Sequence, residues 1–241
     1  MEYLKVNTIY PAYMGECNKY GIGVPCTFIR LNGCNLRCYL KKKGTTCDTP
    51  EALDCDDGKR MEVSSIIKSV KNIGNKVICL TGGEPLLQDC TKLLMELVNN
   101  GFHVVVETNG TRSIAPYRHI KNVSFVVDCK APSTGHYKDM ADHEDETYLL
   151  LDKDDFIKFV IDDEEDLDAC KRFIESSEEM FNCNFAVGLF WGSKISYKTL
   201  MNIMPKGNRI YLNMQAHKMQ YMYDKFKGTW EFTKIVFPRE L

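Results

Sequence analysis

Apolar residues recur along this chain in two alternating rhythms. Short apolar runs of strand length cover Val6 to Tyr10, Pro25 to Leu31, Lys76 to Leu80, Phe102 to Glu107, Val123 to Val127, Asp155 to Ile161, Phe185 to Phe190 and Ile210 to Met214. Between them lie stretches with helical spacing. The clearest is Met61 to Ile73, where Val63, Ile66, Ile67, Val70 and Ile73 share one face and Gly74 supplies a stop. Others follow Pro85 up to Asn99-Asn100-Gly101, span Glu164 to Ser176 after an acidic start, and span Ser196 to Met204. Such alternation predicts an α/β fold with parallel strands. About six strand–helix units fall short of a closed eight-stranded barrel, so the expected form is a partial, modified (β/α)6-type barrel, one domain over 1–241. Ligands of such sheets gather at the carboxyl ends of strands. Here the strands run into polar residues: Thr81-Gly82-Gly83-Glu84-Pro85, Thr108-Asn109-Gly110 and Asp128-Cys129-Lys130.

Breakers mark the connections. AYMGECNKYGIGV, between the first two strands, is too rich in them to be regular and reads as a binding loop or a plain connection. Ala131 to Lys153 is acidic, carries His136 and His143, shows little periodicity and predicts a surface excursion. His103 within a strand and His119 in a polar helix read as structural, and Cys79, Cys90, Cys170 and Cys183 as small buried hydrophobes.

Composition narrows the partners. With 31 basic and 33 acidic residues the formal net charge is −2, so no overall field favours nucleic acid or an anionic membrane surface. No apolar window has membrane-spanning length, and MEYLKVNTIY lacks the basic start and apolar block of a signal peptide, which predicts a cytoplasmic protein. Eleven cysteines, an odd and scattered set, fit a reducing compartment in which a few hold metal.

Three of those cysteines, Cys34, Cys38 and Cys47, share one loop directly after a strand, spaced C-x3-C-x8-C. Three thiolates suit a [4Fe–4S] cluster with one iron left open, whereas a zinc knuckle closes itself with a fourth ligand, for which Cys55 is available. Thirty to fifty residues later a strand runs into Thr-Gly-Gly-Glu-Pro. Two glycines there permit close approach to the charged amino-acid end of a cofactor, and Glu84 with Pro85 stiffens the turn.

FIRLNGCNLRC, TGGEP and ETNG together resemble the radical S-adenosylmethionine superfamily, whose C-x3-C-x2-C signature is here expanded between its last two cysteines. QAHK at Gln215 to Lys218 makes the resemblance one to the 7-carboxy-7-deazaguanine synthases within it, over nearly the whole chain. Gly15-Glu16, Arg30, Cys47-Asp48-Thr49 and KFV at Lys158 to Val160 match as well.

The resemblance implies conversion of 6-carboxy-5,6,7,8-tetrahydropterin to 7-carboxy-7-deazaguanine with loss of ammonia, a carbon–nitrogen lyase reaction of queuosine-type 7-deazapurine biosynthesis. It implies a [4Fe–4S] cluster on Cys34, Cys38 and Cys47, with Thr49 a ligand of Mg²⁺. S-adenosylmethionine would be contacted by Gly82, Gly83, Glu84, Glu107, Asn109 and the Asp128-Cys129-Lys130 loop. Around the pterin it places Tyr13, Met14 and Gly15, with Glu16, Arg30, Thr81, Gln215 and His217. On chemical grounds Arg30 suits the substrate carboxylate and Glu16 the amidine-like edge. A flavodoxin or ferredoxin-type reductant and a homodimer are also implied.

The chain departs from the family pattern at several places. A Gly-Glu-Gly loop has become Gly15-Glu16-Cys17, and a serine-proline-lysine loop has become Asp128-Cys129-Lys130. Thr46 stands where an aromatic residue usually precedes the last cluster cysteine, which leaves packing on the adenine to a residue such as Tyr39. The inserted Leu40 to Thr45, with Lys41-Lys42-Lys43-Gly44, predicts a solvated bulge. Residues 219–241 form an added C-terminal extension. Other readings of the cysteines are a glycyl-radical-enzyme activating enzyme, which shares the cluster and GGEP turn but not QAHK, and a non-catalytic zinc module on Cys34, Cys38, Cys47 and Cys55.

Overall fold

A computed structural model describes residues 3–39, 47–138, 147–177, 179–204, 207 and 209–215. In chain order the elements are β1 (Tyr3–Tyr13), β2 (Pro25–Leu31), β3 (Lys59–Glu62), α1 (Val63–Ile73), β4 (Val77–Gly82), α2 (Thr91–Asn99), β5 (His103–Thr108), β6 (Val123–Asp128), β7 (Phe156–Ile161), α3 (Glu164–Ser177), β8 (Asn184–Leu189), α4 (Tyr197–Ile203) and β9 (Ile210–Leu212). They form one open nine-stranded sheet in the order β3-β1-β2-β4-β5-β6-β7-β8-β9. From β2 to β9 every neighbouring pair is parallel, as the alternation predicts for a partial barrel. The sheet is mixed because β1 pairs antiparallel with both β2 and β3.

Alternation along the strands separates two faces. One face, with Ile29, Ile78, Leu80, Val104, Val106, Phe125, Val127, Ile157, Phe159 and Ile161, packs against the apolar sides of the helices, including Ile66, Leu93, Leu97, Phe173 and Leu200. Burying each large aliphatic or aromatic side chain contributes about 1.5–3 kcal/mol, which outweighs helix propensity in fixing these elements. The other face carries a smaller apolar layer of Cys26, Val77, Cys79, Val105, Val126, Phe156 and Ala186, capped by Met14 and Cys17.

Three differences from the sequence reading have physical causes. Met61 and Glu62 belong to β3 and the helix begins at Val63, because β1 is longer than predicted and pairs Tyr3 with Glu62 and Leu4 with Met61. His119 follows a single 3-10 turn at Ala115–Tyr117 rather than lying in a helix. The segment after Lys130 is a surface excursion only in part where it is described: Tyr137, Lys138, Leu149 and Leu150 are exposed, but Ala131, Pro132, Ser133, Thr134, Tyr148 and Leu151 are buried. Asp166 makes that possible by accepting from the backbone N–H of Ser133 (2.7 Å) and of Asp162 (2.9 Å), two groups the periodicity of the segment does not reveal. Cys79, Cys90, Cys170 and Cys183 are buried as expected. No helix among the described residues is long and apolar enough to cross a membrane. Leu40 to Thr46, His143, His217 and the extension lie outside the described residues.

At the amino ends of the strands Asp155 staples three segments: it accepts from the N–H groups of Phe125 (2.7 Å) and Asp152 (2.9 Å) and pairs with Arg118 at 3.0 Å. Burial pushes its carboxyl up to about 6. The unfolded value is near 3.9, so between the two the folded chain holds a proton the unfolded chain lacks. Acidification through that window therefore stabilises the fold. Relative to Asp155→Asn, the native chain should gain about 1 kcal/mol between pH 7.5 and pH 5, read from urea midpoints at both pH values.

Candidate active site

The apolar layer on the open face of the sheet gives way, near the carboxyl ends of β2, β4, β5 and β6 and midway along β7, to polar side chains. Alternation places Arg30 of β2, Thr81 of β4, Glu107 of β5, Asp128 of β6 and Lys158 of β7 on the same side as Cys26, Cys79, Val105, Val126 and Phe156. Register aligns them: Arg30 pairs with Thr81, and Asp128 pairs with Lys158. Thr81 donates to Glu107.

Glu16, on the loop after β1, joins this rank. Its Oε2 lies 2.7 Å from Lys158 Nζ, and its Oε1 accepts from Gln215 Nε2 at 2.9 Å. Lys158 Nζ also lies 3.0 Å from Asp128 Oδ1, and Asp128 Oδ2 pairs with Lys130. Burial works to raise the carboxyl pKa values of Glu16 and Asp128, but the facing ammonium groups outweigh it and hold both below their ordinary range. At Glu107 burial prevails, helped by the charge of Glu16 against the opposing pull of Lys158, and the pKa is raised.

The cysteine loop stands over this rim. Cys34 Sγ receives the backbone N–H of Leu36 at 3.5 Å and the Asn109 amide at 3.8 Å. Cys38 and Cys47 are pushed up in pKa by burial, Cys47 to about 11, and each of the three thiols lies close enough to feel a neighbour in the set. Among the described residues no three His, Cys, Asp or Glu side chains gather to hold a single ion. A cluster of four irons spreads its cysteine ligands over separate metals, and three partly buried thiols with N–H donors on sulfur suit it; Cys55 is exposed.

Three segments brace the loop. The turn at Gly82-Gly83 is pressed against it: a Cβ on Gly82 would lie 2.3 Å from Leu31 O, and one on Gly83 would lie 2.5 Å from Gly33 O and 2.7 Å from Cys34 Cβ. The close approach that requires these glycines is thus made to the cluster loop itself. Glu84 N–H donates to Gly33 O at 2.7 Å. The Glu84 carboxyl is fully buried and accepts from Leu86 N–H (3.0 Å), the Thr108 hydroxyl (2.7 Å) and Asn109 N–H (2.6 Å), while burial raises its pKa to about 6. It is an internal strut between the ends of β4 and β5. On the far side Tyr39 N–H donates to Thr134 O (2.9 Å) and Arg37 N–H to His136 Nε2 (3.2 Å). The Tyr39 ring packs on Phe190 with centroids 4.6 Å apart.

The remaining predicted residues divide. Thr49 lies beside the rank, its hydroxyl 3.5 Å from Arg30 Nη1, and its N–H donates to Cys47 sulfur. Tyr13 is exposed, whereas the Met14 side chain is buried and its backbone N–H and C=O bond to Val24 and Gly23. Gly15 sits half-buried beside Glu16. Asn109 spends its amide oxygen on Thr111 and its NH₂ on Asn35 and Cys34. Cys129 is buried, and its N–H donates to Lys158 O. His217 lies outside the described residues. Lys158 and Asn213, whose Oδ1 accepts from Cys17 N–H at 2.8 Å, were not among the candidates. For Lys158 a signal exists, a single charge at an inward position of the apolar run FIKFVI.

Residues 28–150 match the Radical SAM superfamily. The 7-carboxy-7-deazaguanine synthase of Thermoplasma acidophilum is 32% identical over 217 residues, covering 90% of this chain and 96% of that protein. The enzyme of the same name from Leptospira interrogans is 30% identical over 247 residues, covering 92% and 97%. The chain belongs to the 7-carboxy-7-deazaguanine synthase family. The crystal structure of QueE from Escherichia coli shares the fold, with a TM-score of 0.66 at 21% identity over 89% of this chain and 95% of that one. As a radical S-adenosylmethionine family, the synthases carry a [4Fe–4S] cluster and use S-adenosylmethionine, and the donor set described above suits the cluster. The zinc-module and activating-enzyme readings give way to this membership.

Because the Gly83 contacts are to backbone and a cluster ligand rather than to a flexible side chain, Gly83→Ala should displace the loop. The expected result is a fold retained by circular dichroism, destabilised by about 1–3 kcal/mol, with iron after anaerobic reconstitution reduced to less than about half of the native content.

Proposed function

We propose that this chain converts 6-carboxy-5,6,7,8-tetrahydropterin to 7-carboxy-7-deazaguanine and ammonia, as a radical S-adenosylmethionine lyase of 7-deazapurine biosynthesis. The observation that carries the reading is the rank Arg30, Thr81, Glu107, Asp128 and Lys158, with Glu16 above it, lying under a three-cysteine loop in a chain of this family. Cys34, Cys38 and Cys47 would hold the cluster, which together with S-adenosylmethionine would supply radical hydrogen-abstraction chemistry at the substrate.

The chain's own residues bind, orient and shield. Arg30, from a parallel strand end, presents a planar guanidinium that suits the substrate carboxylate. Glu16, ionised and fixed by Lys158 and Gln215, accepts from the amidine-type N–H edge of the pterin. Tyr13, Met14, Gly15, Thr81, Gln215 and His217 complete the substrate side. Gly82, Gly83, Glu84, Glu107, Asn109 and the Asp128-Cys129-Lys130 loop form the cofactor side, with Glu84 and Asn109 acting through the cluster loop they brace. Thr49 would hold Mg²⁺ through its hydroxyl, a hard oxygen donor that suits this cation, and the ion would supply positive charge to the oxygens of the substrate. A flavodoxin or ferredoxin-type protein supplies the electron, the functional unit is a single-domain protomer of a homodimer, and the enzyme works in the cytoplasm.

Anaerobically reconstituted chain should bind about four irons and, with dithionite, S-adenosylmethionine and the tetrahydropterin, release 7-carboxy-7-deazaguanine and ammonia in equal amounts. Cys34→Ala, Cys38→Ala and Cys47→Ala should lose the cluster and Cys55→Ala keep it. An intact cluster that cleaves S-adenosylmethionine but leaves the pterin unchanged would sink the assignment. Separately, Thr49→Ala should lower pterin turnover by about tenfold or more, with a smaller effect on cofactor cleavage in the absence of substrate; equal losses in both assays would remove Thr49 from the Mg²⁺ site.

A further inference from the structure

Lys158 is a charged residue in the middle of a buried apolar strand, and its ammonium group joins two walls of the site. Glu16, 2.7 Å away, belongs to the loop after β1, and Asp128, 3.0 Å away, ends β6. Only 12% of the Lys158 side chain is exposed, and Glu16 and Asp128 are nearly as enclosed. The groups facing this pair are Glu107 from β5, Lys130 from the loop after β6, Cys17 beside Glu16, and the Gln215 amide. Three carboxyls thus face two ammonium groups. Lys158 is the contact common to Glu16 and Asp128, while Lys130 pairs with Asp128 alone.

The donors fix how Glu16 is aimed. Lys158 takes one carboxylate oxygen and Gln215 the other, so the plane of the group is held while each oxygen keeps lone-pair capacity for a ligand. Asp128 is part of the same unit because Cys129 N–H, next in the chain, donates to the carbonyl of Lys158 at 2.8 Å. The Asp128-Cys129-Lys130 loop and Glu16 are therefore tied to each other through one residue.

We propose that Lys158 is a positioning residue, which holds Glu16 ionised and oriented toward the amidine-type N–H edge of the substrate and ties that carboxylate to the loop on the cofactor side. The inference rests on the pterin reading above for the identity of the ligand. Without Lys158, burial of Glu16 goes unopposed except by Gln215, and its carboxyl should protonate as pH falls toward 5.5; a protonated acid cannot accept from both N–H groups of an amidine.

The test uses the reconstituted full chain and 7-carboxy-7-deazaguanine, which carries the same N–H edge, with affinities measured by calorimetry at pH 7.5 and pH 5.5. Lys158→Met should weaken binding by about tenfold or more at pH 7.5 and, relative to the native chain, lose further affinity at pH 5.5. In a Glu16→Gln background the same substitution should cost less than about threefold, because the charge it serves is gone. That double variant is neutral at both positions and guards against a simple failure of Lys158→Met to fold. Costs that multiply independently, or a Lys158→Met pH profile parallel to the native one, would overturn the proposal. Infrared difference spectra between each background and its Glu16→Gln counterpart follow the Glu16 carboxylate band without any ligand. If the native chain neither binds nor makes the deazaguanine, the pterin reading fails, and this spectroscopic arm still decides whether Lys158 keeps Glu16 ionised: a band unchanged by Lys158→Met down to pH 5.5 refutes it.

Discussion

The pairing of Lys158 with Glu16 and Asp128 sets what the open end of this sheet can be. Moving a charge out of water costs several kcal/mol even after relaxation, and a facing charge with good geometry offsets that cost. Here the offset is arranged across segments: Lys158, midway along β7, faces Asp128 at the end of β6 and Glu16 on the loop after β1. Remove the partner and the same carboxylates would be driven toward protonation, as burial raises the pKa of Glu107 and Glu84, for which no ion pair is found among the described residues. A polar, ionised floor and a dry apolar layer one residue pair below can then coexist on one sheet face.

Above that floor the cysteine loop is held by backbone proximity and hydrogen bonds more than by apolar packing. The glycines of TGGEP let β4 pass so close to Leu31, Gly33 and Cys34 that no side chain fits between them. Glu84 then links the turn to the end of β5, and Asn109 reaches from that end back to Cys34. On the opposite flank Thr134 and His136 take the N–H groups of Tyr39 and Arg37. The stretch from Gly33 to Tyr39, which carries Cys34 and Cys38, is thus supported from several segments distant in sequence.

Much of this was legible in the sequence. Period-two and helical patterns give the strands and helices, and their alternation gives the parallel sheet, because burial of one face dictates both rhythms. The cysteine loop and TGGEP point to the right family because they need particular residue types at particular places. What escaped has a common cause: it depends on partners distant in sequence. β3 is polar and short, and it is a strand because β1 extends to meet it. Residues 131–134 are buried because Asp166, more than thirty positions later, satisfies the backbone there. Lys158, part of the matching KFV, has no role that the sequence assigns until Glu16 and Asp128 are seen on either side of it.

The bracing of the cysteine loop also bears on how the protein is made. Cys34, Cys38 and Cys47 leave the ribosome early, but the residues that shape their loop come later: Gly83 and Glu84, then Thr108 and Asn109, and finally Thr134, His136 and Asp166. Until those later residues are made and in place, the contacts that shape the loop cannot form. The ligand loop is thus shaped by chain that follows it as far as α3, so its form is a product of tertiary folding rather than of local sequence.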